Sequence, residues 1–192
     1  MPATEPTLLI VPGLRDAVAQ HWQTLLEARL RAAGRPVASA LPMGREDLSC
    51  AARVTEIERA AQAIEGPLVI VAHSGGCLMV AHWALKTRRA VRGALLATPP
   101  DFEKPLPAGY PTIAALGAGG WLPVPRKRLP FRAIVAASRD DALASFARVV
   151  GLANDWGAEL EDLGFVGHLN PASGYGQWAG ADPLIARLSA AL

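Results

Sequence analysis

Ser74 lies where an apolar run, 68–72, is followed by two glycines. The run does not alternate apolar with polar residues, so it predicts a strand buried on both faces. The segment 78–85 is amphipathic and predicts a helix that begins only a few residues later. With Ala72 two residues before the serine and Gly76 two residues after it, the pattern is small-x-Ser-x-Gly. That pattern is typical of a sharp strand-to-helix turn, the nucleophile elbow, with alanine here in place of the usual first glycine.

A turn of this kind would give Ser74 the position of a nucleophile. Its hydroxyl would point into solvent at the carboxyl end of the sheet, and the backbone N–H of Gly75 would point at the same place. A backbone N–H at a helix N-terminus stabilises the negative oxygen that forms when a serine attacks a carbonyl group. The alternative interpretation is that Ser74 only caps the helix, since serine is a favoured N-cap residue.

A serine hydroxyl is a weak nucleophile near pH 7 and needs a base within hydrogen-bond reach, a role that suits imidazole. Four histidines compete for it. His21 on the first predicted helix and His82 on the helix after Ser74 fit structural roles. His73 directly precedes Ser74 and is expected to point away from its hydroxyl. His168 lies in a loop, where a histidine has little packing role, so we favour it as the base. No pair of histidines has metal-ligand spacing with a convincing third ligand, and we predict no metal site.

The imidazole in turn needs a carboxylate that holds its tautomer and stabilises its cation. Asp140 and Asp141 both follow an apolar run at 131–137, and either could instead cap a helix that begins near Ala142. The residues alone therefore leave the acid open between the two. Serine, then acid, then histidine is the chain order of an α/β-hydrolase triad.

The order of the predicted elements explains how these residues would meet. Strands are predicted at 7–11, 36–41, 68–72, 91–97, 131–137 and 159–163. Helices are predicted at 18–33, from Asp47 or Ser49 to 64, after Ser74, at 143–155 and at 183–192. This alternation predicts an α/β fold, a mostly parallel six-stranded sheet with helices on both faces, in one domain spanning 1–192. Ligands bind outside the carboxyl ends of such strands, and the serine, the aspartates and His168 each follow a strand.

Composition and charge argue against several classes of protein. The 192 residues include 19 basic and 17 acidic side chains, and a net charge of +2 gives no indication of nucleic-acid or membrane binding. Cys50 and Cys77 lack metal or redox spacing, which indicates a reducing compartment. The N-terminus has no positively charged segment and its apolar run at 8–11 is short. We therefore expect a cytoplasmic protein without a signal peptide or a membrane span.

Several segments together resemble the small α/β-hydrolases of the retinoblastoma-binding-protein-9/YdeN-type serine hydrolase family, over nearly the whole chain. These segments are 8–14, His21-Trp22-Gln23, 71–77, Leu129-Pro130-Phe131, 137–141, 167–170, Ser173-Gly174, Gly176 and Trp178. By position, the resemblance implies that Asp141 is the acid. In the family a proline and an aromatic residue follow the acid, whereas Ala142-Leu143 follows it here, so Asp140 remains an alternative.

The resemblance also implies no separate lid domain and a second oxyanion-binding N–H at Gly13 or Leu14. The stretch 98–130 is rich in proline and glycine, which excludes a long regular element, yet it is too apolar for a disordered linker. We expect it to be a structured excursion that forms a substrate wall with Trp121.

We therefore expect a serine hydrolase that cleaves a small ester through an acyl-enzyme, without a cofactor. Ser74 would attack the ester and His168 would transfer the proton. Asp141 would orient His168, while Leu14 and Gly75 would bind the oxyanion.

Two alternatives stay open. One is a binding module with little turnover on a hydrolase scaffold, because a fold does not determine a function. The other is acyl transfer to an acceptor other than water, which uses the same residues. The oligomeric state and any protein partner are also open, and Trp121, Trp156 and Trp178 are candidate interface residues.

Overall fold

The structure is a computed structural model that describes residues 5–15 and 18–190. The first four residues of the N-terminus considered above and the last two residues of the predicted C-terminal helix lie outside these ranges.

Six strands form one sheet in the described chain. They are β1 (Thr7–Val11), β2 (Val37–Ser39), β3 (Leu68–His73), β4 (Gly93–Ala97), β5 (Ala133–Ala137) and β6 (Glu159–Asp162). Their order is β2-β1-β3-β4-β5-β6, and each pair of neighbours is parallel. This confirms the predicted parallel sheet. The strand order changes direction between β1 and β3, and open α/β sheets bind their ligands at such a switch point.

Helices cover both faces of this sheet. They are α1 (Trp22–Ala32), α2 (Cys50–Gln62), α3 (Gly75–Ala84), α4 (Ile113–Ala118), α5 (Phe146–Trp156) and α6 (Ala181–Ser189). Successive strand residues point to opposite faces, so Leu8 belongs to the part of the core that includes α1 and α6, whereas Leu9 belongs to the part that includes α2, α3 and α5. Burial on both faces explains why β1, β3, β4 and β5 read as continuous apolar runs.

The register of the strands brings their carboxyl ends to one edge. Val11 pairs with Ala72, His73 pairs with Ala97, and Ala137 pairs with Asp162. The loops after β1, β3, β5 and β6 therefore begin at neighbouring points of the same edge.

Two helices begin later than the sequence predicts, because a side chain caps each of them. α1 begins at Trp22, where the Nδ1 atom of His21 accepts the Gln23 N–H at 3.2 Å. α5 begins at Phe146, where the Ser145 hydroxyl caps the helix. The alternative interpretation, that Asp140 or Asp141 caps a helix beginning near Ala142, is therefore wrong.

The 98–130 excursion is folded onto the main body and contains α4, a short helix that the sequence did not predict. Trp121 is fully buried, and its Nε1–H donates to the carbonyl oxygen of Leu48 at 2.8 Å. Trp121 therefore belongs to the core, and its predicted place in a substrate wall is wrong. Trp156 is also buried, and neither of these tryptophans offers an exposed surface for a partner.

Three further observations concern residues with particular chemistry. Cys50 and Cys77 are both buried and free. Within the ranges given above, no helix has the length and apolar character needed to cross a membrane. In the same part of the chain, no three His, Cys, Asp or Glu side chains come together in a way that could hold a metal ion.

Candidate active site

Ser74 has an unusual backbone conformation, with φ 55° and ψ −131°. The chain passes here from β3 directly into α3, and a non-glycine residue with positive φ is strained. Ser74 occupies the N-cap position of α3, but its side chain makes no capping hydrogen bond. Its hydroxyl instead lies 2.8 Å from the Nε2 atom of His168. The geometry therefore does not support the interpretation that Ser74 only caps the helix.

Glycines around Ser74 allow two segments to approach closely. A Cβ atom on Gly76 would lie 2.6 Å from the carbonyl oxygen of Val11, at the end of β1. A Cβ atom on Gly75 would lie 2.9 Å from Cγ of Leu14, and one on Gly13 would lie 3.2 Å from Cβ of Ser74. The loop after β1 therefore packs directly against the turn that carries the serine.

His168 links Ser74 to an acid. Its Nδ1 atom lies 2.8 Å from Oδ2 of Asp141, and both side chains are almost fully buried. A carboxylate can only accept a hydrogen bond, so the proton of a neutral imidazole lies on Nδ1. The Nε2 atom is then free to accept the hydrogen bond of the Ser74 hydroxyl. The three side chains form one continuous hydrogen-bonded chain.

The two candidate acids have different partners. The second oxygen of Asp141 accepts the N–H of Leu143 at 2.8 Å, which fixes the plane of the carboxylate that faces His168. Asp140 instead accepts the Gly167 N–H at 2.7 Å and the Ser138 hydroxyl at 2.8 Å. These hydrogen bonds, the one from Gly167 first, lower the pKa of Asp140. Asp140 thus holds the loop that carries the histidine, whereas Asp141 contacts its ring.

Residues after β6 fix the backbone of His168. Its N–H donates to Oγ of Ser173 at 3.0 Å, and the Ser173 hydroxyl donates to Oδ1 of Asn170 at 3.0 Å. Leu169 has a φ of 50°, so the chain bends sharply immediately after the histidine. The short 3-10 helix Pro171–Ser173 therefore acts as a support for the imidazole.

A cluster of imidazole rings, tilted by 50° and 56° to their neighbours, lies behind His168. The ring centroid of His73 lies 4.9 Å from that of His168, and the ring centroid of His21 lies 4.6 Å from that of His73. His73 Nε2–H donates to the backbone carbonyl oxygen of His168 at 2.9 Å. Burial, followed by the charge of His168, lowers the pKa of His21 to about 4 and that of His73 well below its usual value. Both rings are therefore neutral near pH 7.

His73 does not bond the Ser74 hydroxyl, as expected, but its contact with His168 was missed. The alternation of side chains along a strand shows that His73 and Ser74 point differently, but it cannot show what the other ring meets. His82 lies elsewhere, with a ring nitrogen 3.1 Å from the carbonyl oxygen of Trp121.

Gln23 is a further residue whose part in the site the sequence did not reveal. Its side-chain amide is buried and donates to the carbonyl oxygens of Val11 at 3.1 Å and Val71 at 3.0 Å. It therefore ties the end of β1 to β3 beneath the loop that contains Gly13 and Leu14. Its place in the His21-Trp22-Gln23 motif was the available signal.

Ser74 lines a cleft of about 490 Å³. Most of its lining is apolar, including Leu14, Leu48, Phe102, Leu106 and Leu143. In the described part of the chain, the arginines and carboxylates that line it are Arg15, Arg45 and Glu46. The 98–130 excursion does form one wall, through Phe102, Leu106 and Tyr110 rather than through Trp121. A volume of this size is typical of a small-molecule site.

Comparisons with known proteins agree with this architecture. A family model described as "Serine hydrolase" matches residues 8–187. The chain is similar to a solved structure described as a YdeN-like hydrolase from Pectobacterium atrosepticum, at 25% identity and a TM-score of 0.81, over 96% of this chain and 91% of that one. No curated protein matches the chain.

Two further solved structures share the fold at lower sequence identity. The ydeN gene product from B. subtilis is 20% identical, with a TM-score of 0.74, over 95% of this chain and 98% of that one. The N-formylmaleamic acid deformylase from Pseudomonas putida is 17% identical, with a TM-score of 0.66, over 96% and 93%. These likenesses confirm the predicted α/β-hydrolase fold.

Proposed function

The chain belongs to the serine hydrolase family, as its resemblance to the YdeN-type proteins predicted, and from that premise we propose that it is a carboxylesterase-like enzyme. It would cleave a small ester through an acyl-enzyme. One observation carries the proposal, namely the hydrogen-bonded chain from Asp141 through His168 to Ser74, with 2.8 Å at each link. Family membership makes the protein a hydrolase, while the bond cleaved and the residue roles are proposed.

In the first half of the reaction, Ser74 Oγ attacks the ester carbonyl carbon. The Nε2 atom of His168 takes the hydroxyl proton as the new C–O bond forms, because it already accepts that hydrogen bond. Asp141 keeps the proton of the ring on Nδ1 and stabilises the imidazolium that results. His168 then gives its proton to the leaving alcohol, and the acyl group remains on Ser74.

The backbone N–H groups of Gly75 and Leu14 are the proposed oxyanion donors. Gly75 is the first residue of α3, so its N–H has no partner within the helix and lies at the positive end of the helix dipole. The backbone nitrogen of Leu14 lies 3.5 Å from the point that a Cβ atom on Gly75 would occupy. This closeness to Gly75 favours Leu14 as the second donor. Fixed donors of this kind contribute about 3–4 kcal/mol each to transition-state stabilisation.

In the second half, water replaces the alcohol. His168 Nε2 removes a proton from the water, which attacks the acyl carbonyl, and the same N–H groups hold the negative oxygen again. The proton then returns to Ser74 Oγ, and the carboxylic acid leaves. An ester suits these residues because an alkoxide is a better leaving group than an amide anion, so its departure depends less on the proton that His168 holds after the attack.

Steady-state hydrolysis of p-nitrophenyl acetate and butyrate tests the proposal. Ser74→Ala and His168→Gln are each expected to lower kcat by at least about 10³-fold, since members of a triad act as a unit. Circular dichroism and urea unfolding of each variant show whether the fold is retained. Full turnover by a folded Ser74→Ala protein contradicts the assignment of the nucleophile.

The same panel separates the remaining chemistries. Amides and thioesters with the same acyl groups show which bond is preferred. Added alcohols or amines show whether the acyl group passes to an acceptor other than water. A well-folded wild-type protein without turnover on any of these compounds favours the binding-module alternative.

A further inference from the structure

Arg15 links the loop after β1 to the 98–130 excursion, and both segments line the cleft. It follows Leu14 in the loop after β1, and its Nη2 donates to the carbonyl oxygen of Gly109 at 2.7 Å. Its guanidinium carbon lies 4.3 Å from the centre of the Tyr110 ring. Gly109 and Tyr110 belong to the 98–130 excursion and line the same cleft. The guanidinium group is therefore oriented before any ligand binds, which reduces the entropy that a ligand must lose.

The charge of Arg15 is available to a ligand. Many arginines of this protein pair with carboxylates, as Arg29 does with Asp182 and Arg139 with Asp162, both at 2.6 Å. Within 5–15 and 18–190, neither Arg15 nor Arg45 lies within 4.0 Å of a carboxylate oxygen. A guanidinium group has five N–H donors, and in Arg15 the hydrogen bond to the Gly109 carbonyl uses one of them.

The charge balance of the cleft lining is positive among the residues that the structure describes. Of these residues, Arg15 and Arg45 line the cleft together with one acidic residue, Glu46. His21 and His73 are neutral near pH 7, because burial lowers the pKa of each ring. Within 5–15 and 18–190, an anionic group in this cleft therefore meets two guanidinium charges and one carboxylate, and a planar carboxylate fits the paired N–H groups of a guanidinium.

An apolar surface lies in the same cleft as these arginines and the nucleophile. Leu14 follows Gly13, which packs against Ser74, and it directly precedes Arg15. Phe102, Leu106 and Leu143 add to this surface. A ligand whose ester group reacts with Ser74 and whose other end reaches the guanidinium group must therefore pass along apolar side chains.

Building on the proposed ester hydrolysis, we propose that the substrate is an ester that carries a carboxylate, separated from the ester group by a short apolar segment, and that Arg15 is its specificity-determining residue. The carboxylate could belong to the acyl part or to the alcohol part. In either case its recognition would rest on the preset guanidinium, with Arg45 adding charge and Glu46 opposing it.

Matched esters test the acyl arrangement. The p-nitrophenyl monoester of adipic acid carries a terminal carboxylate, and p-nitrophenyl methyl adipate is a neutral ester of similar length. The quantity measured is the ratio of their kcat/KM values, after subtraction of the uncatalysed rates. We expect the wild-type ratio to be at least about 10, and Arg15→Gln to lower it about tenfold, as expected for a charge-assisted hydrogen bond.

Four further variants make the result specific to charge. Glu46→Gln should raise the ratio and Arg45→Gln should lower it, whereas Arg15→Lys should keep part of the preference. Arg88→Gln is the matched control, because exposed Arg88 follows α3 and lies outside the cleft lining. High salt should weaken the preference of the wild type. A loss of cleft shape in Arg15→Gln would slow both esters together and leave the ratio unchanged.

The alcohol arrangement has its own pair of compounds. The acetate ester of 4-hydroxybenzoic acid is compared with that of methyl 4-hydroxybenzoate across the same variants. A preference for the carboxylate in either pair, lost in Arg15→Gln, supports the proposal and identifies which side carries the charge. If both ratios are near 1 in the wild type and in Arg15→Gln, the proposal is overturned.

The outcomes also separate this proposal from the proposed hydrolysis. Neutral esters that are cleaved by the wild type and not by Ser74→Ala, with ratios near 1, leave esterase activity standing and reject carboxylate recognition. If the wild type cleaves no ester, the hydrolysis proposal fails, and calorimetry then compares monomethyl and dimethyl adipate as ligands of the wild type. Equal affinity for the two compounds rejects the anionic site as well.

Discussion

Acid should destabilise this protein through the cluster of imidazoles behind the active site, and His21 allows the size of the effect to be worked out. In the folded protein its pKa is lowered from 6.5 to about 4, chiefly by burial and then by the charge of His168. In the unfolded chain the ring titrates near its usual value of 6.5. Between these two values the unfolded chain binds a proton that the folded protein does not. The contribution of His21 to the free energy of unfolding is therefore fully present above pH 6.5 and is lost as the pH falls towards 4.

The two pKa values of His21 determine how much unfolding free energy is lost in acid. At pH 5 nearly all of the unfolded chains carry the proton, whereas about one tenth of the folded molecules do, and the difference is at most about 2 kcal/mol of unfolding free energy. His73 changes stability in the same direction, because burial and the neighbouring His168 and His21 also lower its pKa. The decrease in the free energy of unfolding between pH 7.5 and pH 5 should therefore exceed the contribution of His21 alone.

Urea unfolding of the wild type and of His21→Asn, at pH 7.5, 6 and 5, measures this contribution. Asparagine retains an oxygen that can cap α1 through the Gln23 N–H, so the two proteins should have similar stability at pH 7.5. At pH 5 the variant should be the more stable of the two by about 1–2 kcal/mol. Parallel pH profiles for both proteins would refute the assignment of a neutral, half-buried His21.

Two substitutions test the supports of the site. Gly76→Ala should lower the free energy of unfolding by about 1–3 kcal/mol and reduce kcat, because the new Cβ would lie 2.6 Å from the Val11 carbonyl oxygen. Gly151→Ala is the matched control, since a Cβ atom there would have nothing within 4 Å. In urea unfolding this control should be neutral or stabilising. Ser173→Ala removes the acceptor of the His168 N–H and should lower kcat about tenfold with little change in KM, and wild-type kcat would contradict this support.

The sequence predicted the sheet, Ser74 and His168 because most of their signals are local, whereas Asp141 was preferred to Asp140 only through the family resemblance. Apolar runs identify the strands, the order of the elements makes them parallel, and a small-x-Ser-x-Gly turn identifies Ser74. His168 was predicted because a loop histidine has few packing roles. Apart from the order of the elements, each of these signals depends on residues within a few positions of one another.

Other features depend on contacts between distant segments, and the sequence did not reveal them. The cluster of His21, His73 and His168 joins residues that lie up to 147 positions apart in the chain. Trp121 seemed suited to a substrate wall by composition alone, whereas its burial depends on how 98–130 folds back onto the core. The starts of α1 and α5 depend on which nearby polar side chain caps the helix, and several candidates compete at each site.

The choice between Asp140 and Asp141 shows the same limit. The two residues are adjacent and chemically identical, so sequence position alone cannot assign their hydrogen-bond partners. The fold directs Asp141 towards His168 and Asp140 towards Gly167, and that difference leads to separate expectations for their asparagine variants.

Covalent labelling with a fluorophosphonate probe, followed by intact-mass measurement, tests the activated nucleophile most directly. The account predicts one probe per molecule in the wild type and none in Ser74→Ala. Labelling should be slowed much more in Asp141→Asn than in Asp140→Asn, since only Asp141 contacts the His168 ring. Absence of labelling in a well-folded wild type, or undiminished labelling of Ser74→Ala, would contradict the account.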